Sequence, residues 1–289
     1  MNKKQRILCL SLVLLSLILI WLVWDNTVVE LNQFTIENRK LPEAFDGYRI
    51  AHISDFHNSQ KGEKVLKRLS EAEPDMIVIT GDLIDSRNTK IDVALNFVEA
   101  AIKIAPCYYV TGNHESRIAE YVQLREGLTE MGVAVLEDSD IKISHADATV
   151  TLIGAHDPAF STSYLFGDSN TVMDEKLQRI IPNQDSYSIL LSHRPEFFEA
   201  YVDSGVDLVF SGHVHGGQFR LPIVGGLFAP SQGLFPEYDA GLYEKNGTTM
   251  VVSRGIGNSL FPIRFNNPSE VILVELKGGY ETKVIPLST

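Results

Sequence analysis

Apolar and polar positions fall into three regimes along the chain. From Ile7 to Trp24 there is no charged residue, and almost every position is Leu, Ile, Val or Trp. At ~1.5 Å per residue this stretch makes a helix of about 27 Å, close to a bilayer hydrocarbon core of about 30 Å. It has no polar face to turn to water, which argues against a core helix of a soluble domain. From Tyr48 onward, short apolar runs alternate with amphipathic segments. Arg49 to Ser54, Met76 to Thr80, Cys107 to Thr111, Ser188 to Ser192 and Leu208 to Ser211 read as buried strands. Glu63 to Ala72, Ile91 to Ile104 and Ile118 to Met131 have helical spacing, with Ile91, Ala94, Leu95, Val98, Ala101 and Ile102 on one stripe. This alternation predicts an α/β fold with a largely parallel sheet. Six more short runs, at Val133–Leu136, Ile141–Ser144, Thr149–Ile153, Thr249–Ser253, Val271–Glu275 and Glu281–Ile285, lack long helices between them and predict a second, mixed sheet packed on the first. Residues 216–247, rich in Gly, Pro and Phe without a period, read as one long loop, a length usually tied to function or disorder.

The apolar helix divides the chain into a membrane anchor with a cytoplasmic tip (residues 1–25), a linker (26–47) and one outer domain (48–289). Lys3, Lys4 and Arg6 precede the helix and Asp25 follows it, a bias that keeps the N-terminus cytoplasmic and the domain outside. A cleaved signal peptide is the competing reading, but Trp21-Leu22-Val23-Trp24 offers no small-residue cleavage site. Of 289 residues 25 are basic and 37 acidic; removing the three basic residues before the helix leaves 22 against 37, a charge of −15. No nucleic-acid partner is expected of so acidic a chain. Anionic headgroups would repel such a domain, so the helix must hold it at the membrane. Two cysteines, Cys9 in the helix and Cys107 in a predicted strand, support neither a disulfide framework nor a thiolate zinc site.

Polar residues cluster directly after the predicted strands: Asp55-Phe56-His57, Gly81-Asp82-Leu83-Ile84-Asp85, Gly112-Asn113-His114-Glu115, Ser192-His193 and Gly212-His213-Val214-His215. Loops at the carboxyl ends of parallel strands converge on one edge, where ligands bind. Their carboxylate, amide and imidazole donors, without thiolate, suit Mn, Fe or Zn. They are too many for one tetrahedral ion but fit two divalent ions about 3.5–4 Å apart. Two such ions, two carboxylates and a hydroxide leave the site near about +1, so the acidity elsewhere does not exclude a phosphate ligand. Gly81, Gly112 and Gly212 each precede a candidate ligand, where a missing Cβ allows close approach. His52, His145 and His156 lie outside these clusters and read as structural; Asp157, before Pro158, reads as a turn residue.

These five motifs, in this order, resemble the calcineurin-like metallophosphoesterase superfamily over roughly residues 48–285. The Gly-His-Val-His-Gly-Gly-Gln continuation and the single anchor are similar to its membrane-anchored bacterial branch, some of whose members cleave the pyrophosphate of UDP-2,3-diacylglucosamine. The resemblance implies a four-layer sandwich, two mixed β-sheets flanked by helices, and a metal-dependent phosphoric ester hydrolase. A metal-bridging hydroxide would attack a phosphodiester, phosphomonoester or pyrophosphate. Position by position, it implies that Asp55, His57 and His215 hold one metal and Asn113, His193 and His213 the other, with Asp82 bridging. His114 would face the leaving group, and Asp85 and Glu115 would support the site, Glu115 by orienting His114. An anchored binding or scaffold protein with a structural metal site is the alternative, disfavoured because four closed ligands would suffice for it. No Gly-x-Ser-x-Gly elbow supports a serine hydrolase. Two further expectations concern substrate. The long loop, with Leu221, Ile223 and Leu227, would form an apolar wall for a lipid-linked phosphoester, the alternative being that its aromatic residues Phe219, Phe228, Phe235, Tyr238 and Tyr243 pack it onto the sheet, and Arg117, Arg194, Arg220 or Arg264 would grip a second phosphate.

Overall fold

The computed structural model describes residues 2–161, 169–181, 186–258, 261–278 and 284–286. Helix α1 (Lys3–Thr27) opens the chain, and its N-terminus is closed by a reciprocal Asn2–Gln5 capping box. It is long and apolar enough to cross a membrane, and none of its most apolar stretch is buried. Asp25, at its other end, is buried against the domain.

Strands β1 (Val29–Asn38), β2 (Arg49–Ile53), β3 (Met76–Thr80), β4 (Cys107–Val110) and β5 (Ala134–Val135) follow, with helices α2 (Gly62–Ala72), α3 (Ile91–Ala101) and α4 (Tyr121–Glu130) between them. Next come β6 (Ser139–His145), β7 (Ala148–Gly154), α5 (Ser169–Ile180), β8 (Ser188–Leu191), α6 (Phe198–Ser204) and β9 (Leu208–Ser211). Two short hairpins, β10 (Arg220–Leu221) with β11 (Gly225–Gly226) and β12 (Phe228–Ala229) with β13 (Gly233–Leu234), precede β14 (Gly241–Lys245), β15 (Thr248–Val252), β16 (Ser269–Gly278) and β17 (Val284–Pro286).

The strands form two mixed sheets, ordered β17-β1-β16-β2-β3-β4-β5 and β14-β15-β9-β8-β7-β6. Ile50, Met76 and Val78 of the first sheet meet Ile189, Leu191 and Phe210 of the second in a shared core. Alternate residues of the same strands point outward: Ala51, Ile53, Ile77 and Ile79 pack under α2, α3 and α4, and Leu190 and Val209 under α5 and α6. Both faces of each central strand are therefore covered, which is why these strands read as unbroken apolar runs. The result is the four-layer α/β/β/α sandwich.

Three expectations change. The strands at Ser188 and Leu208 belong to the second sheet, and those at Val133, Val271 and Glu281 to the first. Apolar periodicity tells a strand that it is buried but not which sheet it joins; long-range pairing decides that, as where β16 inserts between β1 and β2. Part of Glu281–Ile285, residues 281–283, lies outside the described residues. The stretch 26–47 is not a spacer: β1 pairs in parallel with β16 over its whole length. Its half-exposed, mixed sequence hides it from a pattern search. Finally, 216–247 is two hairpins and an edge strand, β14, rather than one unstructured loop.

Candidate metal centre and active site

In each sheet the central strands run parallel, β2 to β5 in the first and β15, β9, β8 and β7 in the second. Their carboxyl ends open on the same edge of the sandwich. Asp55, Asp82 and Asn113 leave β2, β3 and β4, and His193, His213 and His215 leave β8 and β9. Stacking two parallel sheets with their loop ends together is thus what brings together residues up to 160 positions apart.

All seven expected ligands are buried. His57 Nε2 lies 3.2 Å from His215 Nε2, and Asp55 Oδ1 lies 3.3 Å from the same His215 atom. On the other side, His213 Nδ1 lies 3.2 Å from His193 Nε2. Asp82 Oδ2 stands between the two groups, 3.6 Å from His57 Nε2 and 3.4 Å from His193 Nε2. Asp55–His57–His215 and Asp82–His193–His213 each bring three ligand atoms within 4.8 Å of one another. Imidazole nitrogens facing each other this closely need a proton or a cation between them. Asp55 Oδ1 and Asn113 Oδ1, both buried, have no hydrogen-bond partner, and buried polar atoms are rarely left so. Orphaned oxygens plus converging imidazoles fit a pair of divalent cations.

Support from behind fixes the geometry. The Thr80 carbonyl accepts from His193 Nδ1 at 2.7 Å, which aims Nε2 into the site. Asp55 Oδ2 accepts from the His213 N–H at 2.9 Å, and Asp82 Oδ1 from the His114 N–H at 2.8 Å. A Cβ on Gly112 would stand 2.2 Å from Asp82 Oδ1, and one on Gly212 2.4 Å from Asp55 Oδ2, so only glycine lets these loops close on the carboxylates. Burial pushes the Asp55 carboxyl up to about 6. Burial also opposes charge on His193, yet Asp82 and Asp55 lift it to about 10. Near neutral pH His193 therefore holds a proton that a cation would have to displace, and below about pH 6 Asp55 holds one as well.

The His114 ring stands edge-on to His57, centroids 4.5 Å apart, and with His57 and Asp85 makes a third group of convergent donor atoms. The Ser86 backbone N–H donates to its Nδ1 at 3.0 Å. A backbone N–H can only donate, so in the neutral ring Nδ1 accepts and Nε2 carries the proton. Burial keeps this ring's pKa below its ordinary value, against the pull of Asp82 and Asp85. Asp85 caps its own turn, holds Arg87 through two hydrogen bonds of 2.9 and 2.8 Å and lies 3.6 Å from His114 Nδ1. Glu115 does something other than orient His114. Its carboxylate accepts from the backbone N–H groups of Asp82, Ile84 and Gly112, tying the β3 and β4 loops together. Glu115 is fully buried, whereas its neighbour His114 lines the cavity.

A cavity of about 220 Å³ opens on this centre, lined by Asp82, Asn113, His114, His213, His215, Arg87, Arg117 and Pro230. The family model of calcineurin-like phosphoesterases matches residues 48–217, more than half of the chain and every one of these ligands. The chain belongs to the calcineurin-like phosphoesterases. It is 29% identical over 264 residues to the metallophosphoesterase YkuE of Bacillus subtilis, covering 86% of each protein. It is 28% identical to the phosphodiesterase YaeI of Escherichia coli, over 79% of this chain and 82% of that one. A transmembrane protein with a metallophosphoesterase domain from Danio rerio is 30% identical over 82% of this chain, which spans 55% of that longer protein. As a calcineurin-like metallophosphoesterase it is a hydrolase of phosphoric esters, and two divalent cations are the family's cofactors.

Against that site, the other expectations sort cleanly. His52 is buried in the first sheet, bonded to Thr80 Oγ1 at 2.8 Å and edge-on to Phe210. His145 packs on Phe45 and Tyr48, and His156 contacts Thr111 and Phe160. Asp157 caps a turn, as its Pro neighbour suggested, and also pairs with buried Arg194 at 2.8 Å. Arg220 pairs with Asp239 at 3.0 Å, and Arg264 is fully buried, its guanidinium donating to backbone carbonyls. Of the four candidate phosphate-gripping arginines, only Arg117 lines the cavity. Sequence reasoning missed Arg87, whose position two residues after Asp85 in a turn was the available signal. It also missed Ser86 and Ser231, which act through a backbone N–H and a long-range approach that no pattern encodes.

Proposed function

We propose that the chain is held in the cytoplasmic membrane by α1, N-terminus inside, and hydrolyses a phosphodiester, phosphomonoester or pyrophosphate of a lipid-derived or nucleotide-sugar substrate outside it. One observation carries the chemistry: two groups of facing, buried ligand atoms share Asp82 Oδ2, and His114 stands at their mouth with its proton on Nε2. Asp55, His57 and His215 would hold one cation and Asn113, His193 and His213 the other, with Asp82 within reach of both groups. When bound, the cations supply a water acidified toward neutrality and offset the charge on phosphorus. His114 Nε2–H donates to the departing oxygen. Arg87 and Arg117, at the rim, take the outer phosphoryl oxygens. Asp85 and Glu115 hold the loops from outside. Anchoring is supported by the apolar length of α1, by its basic N-terminal flank and by the transmembrane relative.

The test is a screen of the full chain with Mn, Fe and Zn against phosphomonoesters, bis-esters and nucleotide-sugar pyrophosphates. Cation-dependent turnover of at least one class is expected. A protein that binds two cations and turns over none of them is instead an anchored binding module.

A further inference from the structure

Around the end of α1 the domain exposes apolar side chains that a water-facing surface does not collect. Ile223, Val224, Leu234, Phe235, Phe261 and Ile263 are all exposed, Ile223 completely. They sit on three segments joined into one body. Gln218 Nε2 donates to the carbonyls of Phe261 and Ile263, the Arg220 N–H to the Phe265 carbonyl, the Leu227 N–H to the Phe219 carbonyl and the Phe235 N–H to the Leu227 carbonyl. That body is fastened to α1. Asn26 bonds both the N–H and the carbonyl of Arg264 at 2.8 Å, and Asp25 accepts from the Asn267 N–H at 3.0 Å. The Phe265 ring then meets Trp21 at 5.1 Å. Trp21 is about one turn up the helix from Asp25, ~6 Å at ~1.5 Å per residue. The domain therefore climbs alongside the last turn of the helix instead of ending below it. Lys64, Lys67 and Arg68 line a cleft of about 340 Å³ with Trp24; Lys64 donates to the Thr27 carbonyl and Glu71 pairs with Arg68 at 2.6 Å and Lys67 at 3.9 Å, which leaves the cleft basic in an acidic chain.

We infer that this face is a second membrane contact: the hairpin tips and the 261–265 segment enter the interface of the bilayer that α1 spans, with Lys64 and Lys67 at headgroup level. The inference rests on the anchor reading of α1. A bilayer is the occupant because the face is continuous with the helix, flanks two interfacial tryptophans and pairs apolar tips with basic side chains. The consequence reaches the active site. Pro230, on the turn between exposed Phe228 and Leu234, lines the catalytic cavity, and Ser231 Oγ lies 3.4 Å from His213 Nε2. Seating the tips in the interface holds the mouth of the cavity at the headgroup plane. On this reading the repulsion expected of an acidic domain is offset locally by these apolar tips.

The test uses the full chain in nanodiscs of phosphatidylcholine with phosphatidylglycerol, with and without brominated acyl chains. Trp21 and Trp24 are the chain's two tryptophans, so their quenching reports insertion of α1 alone. In a Cys9→Ser background the remaining Cys107 is buried, its thiol pushed up to about 12 by that burial, so an environment-sensitive dye labels only an introduced site. Dyes at Ile223→Cys and Phe235→Cys are expected to shift to the blue and be quenched several-fold more by brominated chains than a dye at Asp147→Cys, exposed in the turn before β7 at the opposite edge. Tryptophan quenching with the 223 and 235 dyes behaving like the 147 dye overturns the inference and leaves the anchor standing. Dyes shielded from aqueous iodide but untouched by brominated chains mean a protein partner or a second copy, and overturn it too. Absence of tryptophan quenching overturns the anchor reading and this inference with it.

Discussion

The strand-end loops bury polar groups, while the hairpins from Arg220 to Leu234 expose apolar ones, although the two regions touch where Ser231 meets His213. Each inverts the usual rule of burial, and each inversion is costly in water alone. Burying carboxylates and imidazoles is unfavourable unless a compensating charge joins them; exposing Ile223 and Phe235 is unfavourable unless an apolar phase receives them. The first region fits cations, and the second is the face for which a membrane contact is inferred. The candidate ligands follow strands buried on both faces, whereas Pro230, which borders the cavity, sits on a hairpin of two-residue strands.

The largest effect is expected where the buried region loses its shared atom. Asp82→Ala removes the oxygen common to both groups, so cation stoichiometry and turnover both fall to background. Chelation of the native protein should mimic part of this. A ligand at a hundredfold excess over its Kd stabilises by about 2.7 kcal/mol, so its removal lowers Tm by several degrees. In Asp82→Ala the same chelator should move Tm little. Native-like cation content in that variant, read by elemental analysis, contradicts the shared-atom geometry. Next in size is His114→Ala, which should keep both cations and lose ~10²–10⁴ in turnover, the usual worth of a positioned proton donor. Loss of metal along with activity would make His114 a ligand instead.

Legibility followed the same division. The polar clusters at Asp55, Asp82, Asn113, His193 and His213 were readable because each follows a strand buried on both faces, whose unbroken apolar run stands out. What sequence could not supply was pairing. The swap of Ser188 and Leu208 into the second sheet, and of Val271 into the first, depends on contacts far apart in sequence that no local pattern records. β1 was hidden for a related reason: Val29–Asn38 is half-exposed and mixed, and becomes a strand by pairing with β16. The expected Glu115–His114 contact could not be checked from sequence, because the bonds of Glu115 go to backbone N–H groups, which are the same at every position.

A smaller effect tests the electrostatics of the buried region. With its pKa held near 10 by Asp82 and Asp55 despite burial, His193 is protonated at pH 7 and must shed that proton to ligate. One proton released as the cation at His193 binds means that apparent affinity at that position rises with pH, up to about tenfold per unit. Below about pH 6, Asp55 adds a second proton and the slope steepens. Titration calorimetry in two buffers of different ionisation enthalpy measures the release directly; identical heats in both buffers would show that His193 is neutral before the cation arrives.

The smallest effect falls on the exposed region, and it is selective. Phe228 is exposed and Leu227 half-buried on the hairpin whose turn lines the cavity, and neither is among the residues lining it. Phe228→Asp or Leu227→Asp places a charge where an acyl chain or the bilayer interface would lie, while the strand-end loops stay as they are. Hydrolysis of a bilayer-held, acylated phosphoester should fall several-fold, through KM more than kcat, because binding outside the reacting centre is what has been removed. A small chromogenic phosphodiester in water, which needs only the cations, His114 and the cavity, should be cleaved at the native rate. Equal loss on both substrates would mean that the hairpin shapes the metal centre itself, through Ser231 and His213, and the division between a buried chemical region and an exposed selecting one would fail.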